Sequence, residues 1–244
     1  MGSMLPKHLF ISGLIVAIFA TAGIAAARGE EVPDRGDEIA DEIFRALNAD
    51  VFDAVKALDA QMAPLYKQGK YAQALPIVER QLKLQESRLG KEHRNTLATV
   101  ENLATLYKLL GNYGEAERLF RQSLATCERV YGKEALDTAY AANKLAMLYR
   151  AQSRYAEAER LYLRALKIHE RGIFKDFAPY EVVANLAVLY QEQGRYREAE
   201  QFYRRALDGQ ERKFGKDDSA TLTSVGNLAD FLSEQRRYAE AEGL

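Results

Sequence analysis

The chain has 244 residues, with 34 Lys and Arg against 35 Asp and Glu, which gives a formal net charge of −1. This balance provides no basic surface of the kind that nucleic acids require, so we expect no nucleic-acid partner. A single cysteine excludes an internal disulfide framework. Frequent Ala, Leu, Glu, Arg and Tyr, with five prolines and no tryptophan, favour a helical protein.

The N-terminal segment, residues 1–27, has the pattern of a secretory signal peptide. Lys7 precedes an uncharged apolar stretch, residues 9–27, which ends in three alanines before Arg28. We predict cleavage after Ala27 and therefore an exported protein, periplasmic or extracellular. The alternative is an uncleaved membrane anchor, because this stretch is nearly long enough to cross a bilayer. A buried core helix is a third interpretation, although the stretch has no polar face.

Residues 28–49 are predicted to form a linker and an N-terminal helix. The segment 28–37 is polar and contains two glycines and one proline. An apolar stripe with helical spacing follows, formed by Phe44, Leu47, Val51, Val55, Leu58, Met62 and Leu65. Residues 48–50 are predicted to divide it into two helices, with Asp50 as the N-cap of the second.

An internal repeat occupies residues 50–244. A tyrosine recurs at steps of 42, 42, 41 and 42 residues, at Tyr71, Tyr113, Tyr155, Tyr196 and Tyr238. A second anchor precedes the later copies and reads NLATLY, KLAMLY, NLAVLY and NLADFL. A fixed period of this kind indicates a stacked repeat architecture, in which each unit packs on its neighbours.

Each unit is predicted to be a pair of helices joined by a tight turn. Gly111 and Gly194 lie where a helix C-cap adopts a positive φ. Alanines recur at fixed positions where the helices pack closely: Ala104, Ala146, Ala187 and Ala229 in the first helix, and Ala74, Ala116, Ala158, Ala199 and Ala241 in the second. Large residues fill the space beside them, for example Tyr190 with Tyr203.

These motifs resemble the tetratricopeptide repeat (TPR) family. The family pattern is matched by Leu186, Ala187, Tyr190, Gly194, Tyr196, Ala199, Tyr203 and Ala206. The usual period of the family is about 34 residues. The 42-residue period found here is similar to that of the kinesin-light-chain subclass. The resemblance implies an all-α solenoid of four full repeats and a partial fifth. In the first repeat Met62 and Val78 depart from the pattern, which is typical of a capping repeat.

The sequence does not predict an enzyme, a cofactor or a metal site. Phosphate-binding, HExxH and CxxC motifs are absent from the sequence. His93 and His169 are interpreted as surface or capping residues, and Cys127 as a packing residue. The EAE pairs recur in successive units, so we interpret them as structural, favourably placed at the helix N-terminus. A catalytic pair would occur at one special site.

The resemblance implies a groove lined by the first helix of each repeat. The position before each Leu-Ala pair points into it by family resemblance, and it holds Asn102, Lys144, Asn185 and Asn227. Asparagine can donate to and accept from a peptide backbone, although it also tolerates exposed helix positions or bonds locally. One turn away lie Thr105, Met147, Val188 and Asp230, and Tyr140 precedes Lys144. Lys144 is expected to meet an acidic group of the partner.

These expectations favour a non-catalytic scaffold that binds a protein or an extended peptide. One alternative is the recognition half of a longer protein whose catalytic or effector domain follows. Another is an oligomer formed by end-to-end stacking of arrays. The last unit is predicted to leave Leu228, Phe231 and Leu232 for a missing helix to cover, which suggests a truncated chain or an end covered by another chain.

Overall fold

The computed structural model describes residues 44–171 and 180–244. All regular structure in these residues is helical, as predicted. The signal peptide and most of the linker predicted for residues 1–49 lie outside the described residues. Within the described ranges no helix is both long enough and apolar enough to span a bilayer.

The helices follow one another in antiparallel pairs, and they fall into two compact units divided between Lys91 and Glu92. Unit 1 contains α1 (Ala49–Lys67) and α2 (Tyr71–Arg88). Unit 2 contains α3 (Arg94–Leu109) with α4 (Tyr113–Val130), α5 (Leu136–Ala151) with α6 (Tyr155–Arg171), α7 (Tyr180–Glu192) with α8 (Tyr196–Phe214), and α9 (Ser219–Glu234) with the short α10 (Tyr238–Glu242). This order confirms four full repeats and a partial fifth.

Capping residues fix the helix boundaries. Gly111 and Gly194 have φ values of 78° and 72°, so the predicted left-handed turn residues are confirmed. His93 caps α3, because its Nδ1 accepts a hydrogen bond from the backbone N–H of Asn95 at 3.2 Å. The N-cap predicted at Asp50 is wrong. Asn48 holds that position, and Asp50 lies in the first turn of α1.

The small residues predicted at the helix contacts are buried. Seven of the predicted alanines are fully buried: Ala74, Ala104, Ala116, Ala146, Ala158, Ala187 and Ala199. In the last pair, Ala229 and Ala241 are only half-buried. The size of the residue therefore matters most where a helix has neighbours on both sides, as α7 has between α6 and α8.

A glycine is required at position 209, inside α8, because an aromatic ring of the neighbouring helix α7 lies against it. A Cβ added at this glycine would lie 2.5 Å from Cε1 of Tyr180, and the Tyr180 hydroxyl donates to the Gly209 carbonyl at 2.8 Å. In the preceding pair the equivalent positions hold Ala139 and Ile168, with the large residue on the second helix instead. One pair thus has its large residue on the first helix and the other has it on the second, and both fill the same space.

An arginine clamp joins successive repeats. Arg195, at the turn before α8, donates to Glu198 of its own helix at 2.9 Å and to Glu159 of α6 at 3.0 Å. The Tyr190 hydroxyl donates to the same Glu159 at 3.0 Å, and the guanidinium lies 4.1 Å from the centre of the Tyr190 ring. Equivalent clamps centre on Arg154, with Glu117, Glu157 and Tyr149, and on Arg237, with Glu200 and Glu240. In the Arg237 clamp Leu232 occupies the position of the tyrosine, so the hydroxyl and the ring are missing.

The clamps explain the EAE pairs. In the pairs 157/159 and 198/200 the first Glu binds the arginine of its own turn, whereas Glu115 binds Arg118 of its own helix. The second Glu of the pairs 115/117, 157/159 and 198/200 receives the arginine of the following repeat. Because the second carboxylate acts in the contact between repeats, the motif recurs with the period. The structural interpretation of the motif is confirmed.

Acid is expected to weaken the clamps. Burial alone would raise the pKa of Glu117, but hydrogen bonds from Tyr149 and Arg154 outweigh it and hold that pKa below its usual value. Hydrogen bonds from Arg237 likewise lower the pKa of Glu200. A lowered folded-state pKa stabilises the protein above the unfolded value, near 4.5, and this stabilisation is lost as the pH falls through the folded pKa.

The measurement is the free energy of unfolding in urea at about pH 7 and about pH 4, in the wild type and in Glu117→Gln. We expect the wild type to lose more stability on acidification, because the variant has no carboxylate to protonate at position 117. Burial raises the pKa of Glu101 and acts in the opposite sense, but this residue is present in both proteins. Equal losses in both proteins would contradict the assignment to Glu117.

Two predictions about individual residues are wrong. Leu228, Phe231 and Leu232 are buried rather than left open, because they pack against the preceding α8, where the Phe231 ring lies 5.3 Å from that of Tyr203. His169 is also buried, in the last turn of α6, and not a surface or capping residue. On the last pair the exposed large residues are Leu222, Tyr238 and Leu244.

Candidate functional site

The first helices of the pairs in unit 2 lie side by side and share one solvent-facing side. Helix α5 contacts both α3 and α7. We call the solvent-facing side of α3, α5, α7 and α9 the A-face. All predicted groove residues are exposed or half-buried on it: Asn102, Thr105, Tyr140, Lys144, Met147, Asn185, Val188 and Asn227. The clefts described next open on this face.

The first cleft lies between α3, α4 and α5 and has a volume of about 580 Å³. It brings together four of the predicted groove residues, Asn102, Thr105, Tyr140 and Lys144. Its remaining lining residues are Arg94, Asn95, Leu97, Ala98, Glu101, Cys127, Tyr131 and Asp137. We call it the N-terminal cleft.

Charges in the N-terminal cleft are largely paired within the chain. Arg94 forms an ion pair with Asp137 at 2.8 Å. Lys144 reaches Glu181 of α7 at 3.3 Å, so the acidic group that it meets in this structure belongs to its own chain. Glu101 accepts a hydrogen bond from the Ser123 hydroxyl at 2.7 Å, and burial raises its pKa.

The second cleft lies between α7, α8 and α9 and has a volume of about 430 Å³. Val188 and Asn227 of the predicted groove line it, together with Asp230. The other lining residues are Gln191, Glu192, Tyr203, Phe231 and Glu234. We call it the C-terminal cleft.

The floor of the C-terminal cleft is aromatic and held by hydrogen bonds. Tyr203 and Phe231 are buried, with ring centres 5.3 Å apart. The Tyr203 hydroxyl donates to Oε1 of Gln191 at 2.6 Å, and Nε2 of Gln191 donates to Glu234 at 2.6 Å. These bonds fix the positions of the groups that a ligand would meet.

The asparagines of the predicted ladder have different environments. Asn102 and Asn227 are exposed, and their side chains form no hydrogen bond with residues 44–171 or 180–244. Asn185 donates to Asn143 at 3.1 Å, and Asn143 donates to Glu181 at 3.1 Å. The two ends of the ladder are therefore available to a ligand, whereas the amide donor of Asn185 is already used.

Met147 and Asn185 line neither of the two clefts. The groove prediction did not include Glu101, Glu192 and Glu234, nor the aromatic lining residues Tyr131, Tyr203 and Phe231. Glu101 has no counterpart in the other repeats, so periodicity could not mark it, whereas Glu192 and Glu234 occupy equivalent positions of successive repeats. Their positions on the helices were still a signal. Glu101 directly precedes Asn102, Glu192 lies four residues after Val188, and Glu234 lies four residues after Asp230.

No reactive centre is found among the described residues. Burial raises the pKa of Cys127 to about 11, so its thiol stays protonated near neutral pH, and its packing role is confirmed. Within the described ranges no three His, Cys, Asp or Glu residues are placed to hold a metal ion.

Comparison with known proteins places the repeats in a family. The sequence model of the tetratricopeptide repeat matches residues 65–128, 96–171 and 180–244, which together are more than half of the chain. No curated protein sequence matches the chain significantly.

Solved structures with similar folds include a kinesin light chain of Podospora anserina with nearly identical TPR-like repeats. It is 22% identical, with a TM-score of 0.59, over 78% of this chain and 90% of that one. BtubC (BKLC) from P. vanneervenii is 19% identical, with a TM-score of 0.60, over 98% and 88%. PilF of Pseudomonas aeruginosa is 18% identical, with a TM-score of 0.53, over 79% and 74%. At these identities the likeness establishes the fold alone.

Proposed function

Because the chain belongs to the tetratricopeptide repeat family, whose repeats form a protein-interaction fold, we propose that it is a non-catalytic scaffold that binds an extended segment of a partner protein along the A-face. The observation that carries this proposal is the pair of clefts that open on one face of unit 2. Each cleft contains an exposed asparagine that forms no hydrogen bond with the described residues, Asn102 in one and Asn227 in the other.

The chemistry of the face suits an extended peptide. A carboxamide carries both donors and acceptors, so Asn102 and Asn227 can pair with a backbone N–H and C=O without reading the side chains. The half-buried Thr105 lies one turn from Asn102, and the half-buried Val188 lines the same cleft as Asn227; both offer contacts to side chains of the segment. Backbone pairing with pockets for alternate side chains is a common way to recognise an extended segment.

We place this interaction outside the cytoplasm, on the strength of the apolar residues 9–27 at the N-terminus. That segment lies outside the described residues. If it is retained after export, the same residues would hold the array at a membrane surface.

Loss of both asparagines is expected to weaken peptide binding about tenfold or more, because each hydrogen bond contributes about 0.5–1.5 kcal/mol and 1.4 kcal/mol is about a factor of ten. The ligand would be a peptide selected by the purified chain from a phage-displayed library of random linear peptides. Its dissociation constant would be measured by calorimetry for the wild type and for the Asn102→Ala/Asn227→Ala variant.

The control is Gln201→Ala, which removes an exposed carboxamide from α8 that lines neither cleft. Circular dichroism would establish that both variants keep the wild-type helix content. Unchanged affinity in the double variant would contradict binding through the asparagines. Selection of no peptide by the wild type would contradict the scaffold proposal itself.

A further inference from the structure

We propose that the C-terminal cleft binds a lysine or arginine side chain of the partner segment. This inference rests on the proposed function, and it names the chemistry of one residue of the partner.

The C-terminal cleft has more negative charge than the described part of the chain neutralises. Asp230 is exposed and forms no ion pair or hydrogen bond with the described residues. Glu192 is 4.0 Å from Arg150, at the limit of an ion pair. Glu234 accepts from the neutral amide of Gln191. Three carboxylates thus line the cleft against a single, distant guanidinium.

The N-terminal cleft provides the contrast. Its Asp137 is bound by Arg94 at 2.8 Å, and the neighbouring Glu181 is bound by Lys144. Its remaining carboxylate, Glu101, is half-buried and held by Ser123. The unneutralised charge is therefore a property of the C-terminal cleft and not of the whole A-face.

The aromatic floor selects a long basic side chain in particular. Lysine and arginine have apolar stems and charged ends, so the stem can pack over Tyr203 and Phe231 while the cation reaches the carboxylates. A purely apolar side chain would remove water from the carboxylates without replacing their hydrogen bonds. An acidic side chain would be repelled.

A divalent cation is a poorer occupant. No three of the carboxylate, imidazole and thiol groups among the described residues are placed to share one metal ion. A side-chain cation needs no such convergence, because its several N–H donors can reach separated oxygens.

The test compares peptides selected by the wild type and by Asp230→Asn from a phage-displayed library of random linear peptides. We expect the wild type to enrich Arg or Lys at one position, and Asp230→Asn to lose this enrichment. A peptide selected by the wild type should bind Asp230→Asn about tenfold more weakly, and Asp230→Lys more weakly still. Replacing the basic residue of the peptide by glutamine should abolish the difference between wild type and Asp230→Asn.

The matched control is Asp217→Asn, which removes an exposed carboxylate without an ion pair from the junction before α9, outside both clefts. It should keep the wild-type selection. Peptides selected without a basic preference would overturn this inference and leave the scaffold proposal standing. A wild type that selects no peptide would overturn both.

Discussion

Replacing Tyr190 with alanine is expected to lower the free energy of unfolding by about 3–5 kcal/mol, the usual cost of removing a buried aromatic side chain. The residue is 4% exposed, and its ring lies between Phe202, at 5.4 Å, and the guanidinium of Arg195. The substitution also removes the hydroxyl that donates to Glu159. One change therefore opens a cavity and weakens the clamp between two repeats.

Tyr190→Phe separates these two effects. It keeps the ring and removes only the hydroxyl, so it should cost about 1 kcal/mol, the typical net value of one hydrogen bond. Urea unfolding followed by circular dichroism measures both variants. Equal losses for Phe and Ala would show that the hydroxyl, and not the ring, dominates at this position.

Ala187→Leu is expected to lower the free energy of unfolding by about 1–3 kcal/mol, because it inserts a larger side chain into a well-packed contact. Ala187 is fully buried in α7, which packs against helices on both sides. Leucine forms helices nearly as well as alanine, so the loss would report packing and not helix propensity.

The matched variant is Ala229→Leu, at the equivalent position of α9. Ala229 is half-buried, so the added side chain can turn toward solvent and should change stability by less than about 0.5 kcal/mol. The measurement is the same urea unfolding. If the two substitutions cost the same, burial of the alanine would not explain why it recurs.

The helix pairs can be predicted from the sequence because every pair has the same packing contacts. The alanines and Gly111 recur at fixed positions because two helices must approach and then turn, and the structure confirms these roles. The second helix of each pair begins at one of the recurring tyrosines, as α4 does at Tyr113. A position that recurs through physical necessity is visible in a single sequence.

The candidate site is less visible because some of its contacts depend on residues that do not recur. Asn143 occurs once among its equivalent positions, so its bond to Asn185 could not be foreseen from the period. The prediction that the apolar residues of α9 are left uncovered was wrong for a related reason. Phe231 packs back on Tyr203 of the preceding repeat, a direction that the spacing of apolar residues does not specify.

The clamps and the clefts share no residue. Arg154, Arg195 and Arg237 and their carboxylates line neither cleft. Side chains such as Asn102, Asn227 and Asp230 can therefore be exchanged without altering the arginine clamps that join the repeats. The same scaffold can acquire a new partner by a few substitutions, and its tolerance to such changes makes it a natural starting point for engineered recognition.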